Sequence, residues 1–394
     1  MQGWVTEHHP TRDGLTACVQ CGLCLPVCPT FRLTGRETAS PRGRIQAMRS
    51  VDEGQASVDA KFEEILDFCL GCRACEPVCP GMVPYGSLLE GSRAEISAQR
   101  PTAYRRLRRW VLGRVVPTPA LMRILTVVLR ILQRLHLIRL VPGRFRRSLS
   151  GLRPLDHAPN RVDRESDEPG GIGLLTGCIQ EQWFPEVNRA AVELLRNAGH
   201  EVSIPATQTC CGALAAHDGH AEVAGRLGEA NDRAFAACGT IVATVAGCSA
   251  HLVDRHGDGA ADITAVIAAA IDEGRLPMLP RSGQKVVVQD PCHLRHAQKS
   301  IRPQRLILEA AGLDLVELDD AGMCCGAAGL YTILQPEASA ELGRQKAGRI
   351  SELGPELVAS ANPGCEMQLR AFLGEGYEIR HPIEMYLQAL RRHG

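Results

Sequence analysis

Two short cysteine runs near the start of the chain constrain its fold more than any other feature. Each run has the spacing C-x2-C-x2-C-x3-C, and in each the last cysteine is followed directly by proline. Thiol groups at such short separations can converge on one compact centre. The first run is Cys18, Cys21, Cys24 and Cys28, and the second is Cys69, Cys72, Cys75 and Cys79.

The same spacing holds [4Fe–4S] clusters in bacterial ferredoxins, where the fourth cysteine of each run binds the other cluster. We therefore predict two [4Fe–4S] clusters with exchanged fourth ligands. A zinc site or a disulfide knot would also use paired cysteines, but neither explains two fourfold runs that each end in Cys-Pro. The predicted ligands are Cys18, Cys21, Cys24 and Cys79 for the first cluster, and Cys69, Cys72, Cys75 and Cys28 for the second.

The length of 394 residues allows two or three domains. Residues 1–99 are predicted to form the cluster domain, with so small an apolar core that metal binding supplies most of its folding free energy. Seventeen cysteines without a signal-peptide pattern indicate a reducing compartment. We therefore expect a cytoplasmic protein, peripheral on the cytoplasmic face of the inner membrane. Acidic and basic residues number 44 each, which argues against nucleic-acid binding.

Residues 100–168 are predicted to comprise a basic amphipathic helix and a linker. Thirteen arginines lie at positions 100–147, and no acidic residue occurs between Glu95 and Asp156. A helix predicted over residues 117–142 would carry an apolar face opposite arginines, as in helices that lie on anionic membranes. Packing on the protein itself or on a partner subunit explains the pattern equally well. The predicted face is Leu121, Ile124, Leu125, Val128, Ile131, Leu132, Leu135 and Ile138.

The rest of the chain contains an internal repeat built around a Cys-Cys-Gly motif. Each predicted module has a single cysteine, then Cys-Cys-Gly 32 residues later, then a closing Gly-Cys pair. The second copy lies 114 to 117 residues after the first, which a duplicated module explains most simply. We place the modules at residues 169–281 and 282–394. Their motif cysteines are Cys178, Cys210, Cys211 and Cys248 in the first, and Cys292, Cys324, Cys325 and Cys365 in the second.

Both modules alternate short apolar runs with helical patterns, which predicts a parallel sheet covered by helices. The motif cysteines follow predicted strands, and open α/β sheets bind ligands at the carboxyl ends of their strands. We therefore expect the four cysteines of each module to meet in one crevice. The predicted fold class is multidomain: an α-helical ferredoxin-like domain with two [4Fe–4S] clusters, then a duplicated α/β module. The predicted strands are 173–176, 201–204, 240–245, 285–289, 314–318 and 356–360.

Four cysteines at strand ends favour a functional site over four buried core thiols. Adjacent cysteines can bind iron or zinc, or can form a redox-active disulfide, and the sequence leaves these alternatives open. His217, His251 and His293 are further ligand candidates. Cys238 lies outside the motif; it is predicted to lie on a helix and is interpreted as a core residue.

The Cys-Cys-Gly repeat resembles that of heterodisulfide reductase subunits and of iron–sulfur subunits of membrane-linked flavin dehydrogenases. In the reductases each module ends in C-x-x-C and holds an unusual iron–sulfur cluster. Here Cys248 and Cys365 lack the second cysteine of that motif. The resemblance thus implies an additional metal or iron–sulfur cluster in the modules, while the missing cysteine argues against a cluster with five thiolates and leaves a site with four ligands open.

The whole order of motifs is similar to that of glycolate oxidase (glycolate dehydrogenase) iron–sulfur subunits, most specifically at residues 247–257 and 290–299. This family implies an oxidoreductase subunit that transfers electrons. FAD-containing partner subunits would oxidise a 2-hydroxy acid, the clusters of this chain would take up the electrons, and a quinone or similar acceptor would remove them. Related subunits of lactate and glycerol-3-phosphate dehydrogenases, and those of heterodisulfide reductases, share this plan.

The sequence is also compatible with a second enzyme function, which competes with the electron-transfer role. No Gly-rich nucleotide-binding turn follows a predicted strand, so we expect neither FAD nor NAD on this chain. The Cys-Cys-Gly crevices could instead form a reaction centre of their own that reduces a disulfide or a quinone.

Overall fold

The structure, a computed structural model, describes residues 3–141, 143–155, 171–318 and 322–393. An all-helical N-terminal domain and a helical connecting segment precede two modules, each with a parallel sheet, so the predicted fold class is confirmed. The linker predicted before the first module falls on residues 156–170, which lie outside the described residues.

The N-terminal domain consists of five α-helices joined by the two cysteine runs. Its helices surround a core of fourteen buried residues that includes Met48, Leu66 and Ile96. This core is larger than we expected from the sequence, because α3 and α5 each bury one side of the cysteine loops. The helices are α1 (Arg12–Thr16), α2 (Pro29–Thr34), α3 (Pro41–Asp52), α4 (Ala60–Asp67) and α5 (Tyr85–Gln99).

The connecting segment runs along the N-terminal domain and both modules. Several of its arginines form ion pairs: Arg105 with Glu63 and Asp67, and Arg108 with Asp218. Part of the predicted excess of basic charge is therefore used to fasten the segment to its own chain. Its helices are α6 (Ala103–Trp110), continued by a wide turn (Val111–Val115), α7 (Pro119–Arg134), a 3-10 turn (Leu137–Leu140) and α8 (Gly143–Ser150).

Helix α7 differs from the prediction in length and in orientation. It ends at Arg134, and His136 has a left-handed φ of 54°, a conformation that interrupts helices, so the predicted extension to residue 142 is wrong. The buried residues are Met122, Thr126 and Leu129, on the side away from the predicted apolar face. Most of that predicted face is exposed. The exposed members are Leu121, Ile124, Leu125, Val128, Ile131 and Leu135.

The first module contains a four-stranded parallel sheet in the order β2-β1-β3-β4. Three of these strands were predicted; the fourth, β4, was not, because its sequence Ala-Ala-Asp lacks the larger apolar residues that marked the others. The elements are β1 (Ile172–Leu175), α9 (Ile179–Trp183), α10 (Pro185–Asn197), β2 (Val202–Ser203), α11 (Ala213–His217), α12 (Ala221–Ala234), β3 (Thr240–Ala243), α13 (Ala246–His256), β4 (Ala260–Asp262) and α14 (Ile263–Asp272).

The second module repeats this topology, with a parallel sheet in the order β6-β5-β7-β8. Its short fourth strand was likewise not predicted. A wide helical turn (His293–Ala297) follows the first strand. The other elements are β5 (Lys285–Gln289), α15 (Arg302–Ala310), β6 (Asp314–Glu317), α16 (Tyr331–Leu334), α17 (Pro336–Leu353), β7 (Leu357–Ser360), α18 (Pro363–Leu373), β8 (Glu378–Arg380) and α19 (Pro382–His393).

The two modules share one hydrophobic core. Ile263 and Ile267 of the first module belong to the same buried cluster as Ile307 and Tyr386 of the second. Leu129 of α7 joins this cluster from the connecting segment. Since each fully buried large apolar side chain contributes about 1.5–3 kcal/mol, separating the modules would expose a surface that stabilises both.

Cys238 does not lie on a helix, because α12 ends four residues earlier, at Ala234. The residue is half-buried in the turn before β3, where its sulfur packs against Gly173. Its placement on a helix was wrong, but its interpretation as a packing residue agrees with this position.

Candidate functional site

The second predicted cluster set lines one pocket. Cys28, from the first run, lies beside Cys69, Cys72 and Cys75 of the second run around an empty volume of about 290 Å³. The structure thus brings together the exchanged set of four, although the two runs are far apart in the sequence. Burial raises the pKa of Cys72 and Cys75 well above the usual value, so their thiols hold protons that a metal would displace.

The first predicted set lines a neighbouring pocket of about 450 Å³. Cys75 also contributes to its wall, so the two pockets adjoin. In both runs a left-handed glycine, Gly22 or Gly71, tightens the loop between cysteines. The cysteines of the predicted set that line this pocket are Cys18, Cys21, Cys24 and Cys79.

A buried cation lies against the second set. Arg44 of α3 has no exposed surface; its Nε donates to the Ile65 carbonyl (2.9 Å) and one Nη to Thr30 Oγ1 (3.1 Å). The other Nη has no hydrogen-bond partner within the described residues. Burial by itself would lower the pKa of Arg44. The nearby charges of Cys69 and Tyr85 raise it by a larger amount, so the pKa lies above its usual value. A buried guanidinium that keeps its positive charge beside four thiols suits a negatively charged cluster, so these residues fit a [4Fe–4S] group.

In the first module the four motif cysteines form a continuous row. Cys178 Sγ lies 3.5 Å from Cys210 Sγ, and Cys211 Sγ lies 3.1 Å from Cys248 Sγ. A hydrogen bond between Cys210 and Cys211 joins the two pairs. The hydrogen bond from Cys178 lowers the pKa of Cys210 well below the usual value, whereas the bond to Cys210 raises the pKa of Cys211. We call these four residues the first thiol row.

The second module has the same arrangement, the second thiol row. The thiol of Cys292 is hydrogen-bonded to that of Cys324, and Cys324 is hydrogen-bonded to Cys325. Cys325 Sγ lies 3.3 Å from Cys365 Sγ. Hydrogen bonds involving Cys324 lower the pKa of Cys292 and of Cys325 well below the usual value. The pKa of Cys324 and of Cys365 is raised by the corresponding bonds. In each row at least one thiol therefore has its deprotonated form favoured by a neighbouring thiol, and the thiolate is the state that binds metals or reacts with disulfides.

The glycine of each Cys-Cys-Gly motif makes this arrangement possible. Gly212 has φ of 92° and Gly326 has φ of 89°, a region that residues with a side chain rarely adopt. A Cβ atom would come within 3.2 Å of the Ala224 carbonyl at the first position, and within 2.7 Å of the Ser339 carbonyl at the second. The sharp turn directs both preceding thiols into the module.

Throughout the part of the chain that the structure describes, no group of three or more Cys, His, Asp or Glu side chains converges as the ligands of one metal ion. All seventeen cysteines are free thiols. The binding of a metal or cluster by the thiol rows, and the alternative role of their cysteines as redox-active thiols, stay predictions.

The three candidate histidines lie where the modules meet the N-terminal domain. His217 Nδ1 is 2.7 Å from Glu90 Oε1, and its ring lies 5.5 Å from the ring of His293. His293 Nδ1 is 3.6 Å from Cys292 Sγ. Burial, followed by the charge of His217, lowers the pKa of His251. Glu90 and Arg44 were missed by sequence reasoning, because a single carboxylate or arginine carries no spacing signal.

The second cluster pocket adjoins the second thiol row. Cys72 and Cys292 both pack against the buried cluster that contains Leu70 and Cys324. Burial, followed by the charge of Cys292, raises the pKa of Cys72, as expected of neighbouring thiols. Tyr331 Oη donates to the Phe68 carbonyl (3.2 Å) and holds the two domains together at this point.

The connecting segment presents an apolar surface. Of its side chains, Leu107, Trp110, Ile124, Val127 and Leu135 are each more than half exposed. No single helix in the described ranges is long and apolar enough to cross a bilayer. Residues Ala103–Val115 and Pro119–Arg134 meet that criterion only as a pair, bent by 107°.

These sites define an iron–sulfur protein in which a ferredoxin-type domain is followed by a duplicated cysteine-rich domain. Comparison with protein families agrees: residues 14–83 match the 4Fe-4S dicluster domain, and residues 172–253 and 286–370 match the cysteine-rich domain. The chain belongs to the family of glycolate oxidase iron–sulfur subunits, as the identities to two of its relatives show.

Both of these relatives cover nearly the whole chain. The probable glycolate oxidase iron-sulfur subunit of Bacillus subtilis is 31% identical over 90% of this chain and 88% of its own length. The glycolate oxidase iron-sulfur subunit of Escherichia coli is 33% identical over 96% of this chain and 95% of its own length. A fumarate reductase (CoM/CoB) subunit of Methanothermobacter marburgensis is 28% identical over 92% of this chain and 69% of its own length.

Proposed function

We propose that this chain is the electron-transfer subunit of a membrane-associated glycolate dehydrogenase. FAD-containing partner subunits oxidise the 2-hydroxy acid, and the names of two relatives favour glycolate over lactate or glycerol 3-phosphate. Two [4Fe–4S] clusters, held by the eight ferredoxin-type cysteines, accept the electrons. A quinone-type acceptor then removes them.

The observation that carries this proposal is the close approach of Cys72 to Cys292. Cys75 lines both cluster pockets. Cysteine sulfurs therefore form a continuous line from the first pocket, through the second pocket, to the second thiol row. Bound clusters supply one-electron redox chemistry at each pocket. The protein's residues hold the centres close together and exclude water between them, since Leu70 and Cys324 are buried at the junction.

Two arginines place positive charge next to this line of sulfur ligands. Arg44 lies against the second set with one Nη unpartnered, and an Nη of Arg93 donates to the Cys69 carbonyl at 2.6 Å. Burial by itself would raise the pKa of Cys69. The charges of Arg44 and Arg93 lower it by a larger amount, so the pKa lies below its usual value. Positive charge at this position favours the reduced, more negative form of a cluster. Arg44 and Arg93 would therefore favour electron uptake by a cluster held in the second pocket.

We place the protein on the cytoplasmic face of the inner membrane through α7. Its exposed apolar face gives the contact, and Arg123, which is exposed, belongs to a segment without acidic residues. Basic side chains near an anionic lipid surface contribute about 1 kcal/mol each. Binding to anionic vesicles at low salt that is lost at high salt supports this placement; failure to bind at low salt moves the face to a subunit interface.

The electron route is tested with the variant Cys72→Ser and the control Cys238→Ser. Each is reconstituted anaerobically, mixed with the flavin subunits and glycolate, and followed by iron analysis and electron paramagnetic resonance. We expect wild type and the control to hold about eight irons in this domain and to be reduced, and Cys72→Ser to lose about four irons and the signal of one cluster. Equal iron and signals in the two variants would contradict the ligand assignment, and wild-type clusters that stay oxidised would contradict the function.

A further inference from the structure

The two cluster pockets differ in how far they reach the protein surface. Cys21, which lines the first pocket, is the one exposed thiol among the seventeen cysteines, all of which lie in the described residues. Cys72, which lines the second pocket, packs with Leu70 against Tyr331 of the second module. The line of cysteine sulfurs therefore has one end covered by the second module and one end at the surface, at Cys21.

The loops around the first pocket expose large apolar side chains. Val19, Leu23 and Met82 are 72%, 56% and 85% exposed. Val19 and Leu23 line the pocket, and Met82 lies between Gly81 and Val83, which both line it. We call Val19, Leu23 and Met82 the apolar rim. Large apolar side chains that are exposed together indicate an interaction surface.

Met82 is unfavourable for the stability of the chain by itself. Its φ is 47°, in the left-handed region that residues with a side chain, other than Asn and Asp, rarely adopt. Because the side chain is exposed, burial within the chain does not compensate for this conformation. Contact with a second protein would bury the side chain, and methionine is enriched in the buried centres of protein interfaces.

The loops that carry the apolar rim contain no charged side chains. Residues 14–31 and 77–89 include no Asp, Glu, Lys, Arg or His. Among the described residues, Arg42 is the one charged side chain that lines the pocket, and its Nε and an Nη bind the Glu37 carboxylate (2.6 and 3.2 Å). Complementary charges guide partners that associate rapidly and separate again, and this surface lacks them. An uncharged apolar surface suits a stable contact between subunits.

We propose that the apolar rim is the surface on which the flavin-bearing subunit docks. The inference rests on the proposed function and locates the binding site of its electron donor. A subunit bound at the rim lies against Cys21, the exposed end of the line of sulfurs. The loops have no Lys or Arg, which argues against an anionic lipid surface as the occupant. The matching surface of the partner is itself apolar and uncharged.

The docking surface is tested with the variants Met82→Asp and Val19→Asp, which place a charge in the rim. Aspartate tolerates a left-handed φ, so the loop at residue 82 should keep its conformation. The control is Met278→Asp, which makes the same change at a methionine that is 58% exposed in the segment between the modules. Each holoprotein is prepared anaerobically and checked for iron content and cluster spectra. Its affinity for the flavin subunits is measured by analytical ultracentrifugation at the flavin absorbance.

We expect Met82→Asp to raise the Kd for the flavin subunits about ten- to a hundredfold, because docking would bury a carboxylate without a partner. Its iron content and cluster spectra should equal those of Met278→Asp. If both rim variants bind the flavin subunits as tightly as the control, the docking surface is wrong while the proposed function stands. Wild-type protein that binds no flavin subunit would instead contradict the proposed function.

Two other occupants of the rim give different results. A wild-type dimer in the absence of flavin subunits that becomes a monomer in Met82→Asp would show a contact between two copies of this chain. Flotation of wild type, but not of Met82→Asp, with phosphatidylcholine vesicles would show a lipid contact. Either result, with unchanged binding of the flavin subunits, overturns the proposal. Because Met82 lines neither cluster pocket, its variant remains informative if Val19→Asp loses iron.

Discussion

The two Cys-Cys-Gly modules have the same sheet topology and the same row of four thiols, but different surroundings. The second row adjoins the N-terminal domain, where Cys292 lies close to Cys72. The first row borders a small pocket beneath α7, lined by Cys178 and Cys210. Duplication has thus produced two copies of one site that can serve as the entry and the exit of the same electron path.

The largest expected effect comes from removing the paired cysteines of one module at a time. We expect both Cys324→Ser/Cys325→Ser and Cys210→Ser/Cys211→Ser to lower quinone reduction by more than about a hundredfold, because in our proposal the electrons pass through the thiol rows of both modules. The two variants should differ in the ferredoxin-type clusters. The second-module variant alters the spectrum of the cluster next to Cys292, and the first-module variant leaves it unchanged.

Metal analysis of the same two variants tests what the rows hold. Loss of iron or zinc from either variant, with all eight ferredoxin-type cysteines intact, shows that the corresponding row binds metal. Unchanged metal content in both contradicts our prediction of a metal or cluster and leaves thiol–disulfide chemistry. Identical cluster spectra in both variants contradict the division into entry and exit.

A smaller effect concerns how the second module is attached. Arg153 bonds to the buried carboxylates of Glu366 and Glu384 and so ties the connecting segment to this module. Arg153→Met leaves both carboxylates buried without their partner and should lower the free energy of unfolding by about 3–5 kcal/mol.

The matched control for this variant is Arg391→Met. Arg391 pairs with Glu193 across the modules, but its side chain is 65% exposed. Such pairs contribute about 0–1 kcal/mol. Anaerobic urea unfolding of both variants measures the difference, and equal losses would show that the buried network does not stabilise the second module.

The smallest expected effect concerns the pH dependence of stability. It compares one titratable residue near the fourth strand of each module. His381 follows β8, and burial lowers its pKa to about 4. Asp262 ends β4 in the first module, and burial raises its pKa. Between pH 6.5 and 4 the unfolded chain protonates His381 while the folded chain does not, so this residue lowers stability as the pH falls. Protonation of Asp262 acts in the opposite direction.

We expect His381→Gln to reduce the loss of stability between pH 6.5 and 5.5 by about 1 kcal/mol. Thermal unfolding midpoints measured at several pH values, with the N-terminal variant His8→Gln as control, provide the test. The prediction fails if wild type and His381→Gln lose stability in parallel over this range.

Spacing along the chain predicted which cysteines lie near one another. The exchange of Cys28 and Cys79 follows from the ferredoxin-type pattern, and the thiol rows follow from cysteines placed after strands. Local patterns also predicted α10 over its full range, Pro185–Asn197. These features are encoded by residues close in sequence or by a repeated period.

Long-range features had no such signal. Arg44 is buried by α4, whose Ile65 carbonyl accepts its hydrogen bond, and no local pattern marks that partner. Helix α7 has apolar residues on more than one side, so its period indicated a buried face without fixing which one. The face of Met122 and Leu129 packs inward because it fits the shared core of the modules.

The Arg153 network has a consequence for the order in which the protein can be made. Glu384 lies 231 residues after Arg153. At synthesis rates of about 5–20 residues per second, roughly 10 to 50 seconds separate their emergence from the ribosome. During this interval the connecting segment, with its apolar helix, has been synthesised but has no second module to hold it. The packing of the connecting segment on the second module is therefore completed only after the last helix has been synthesised.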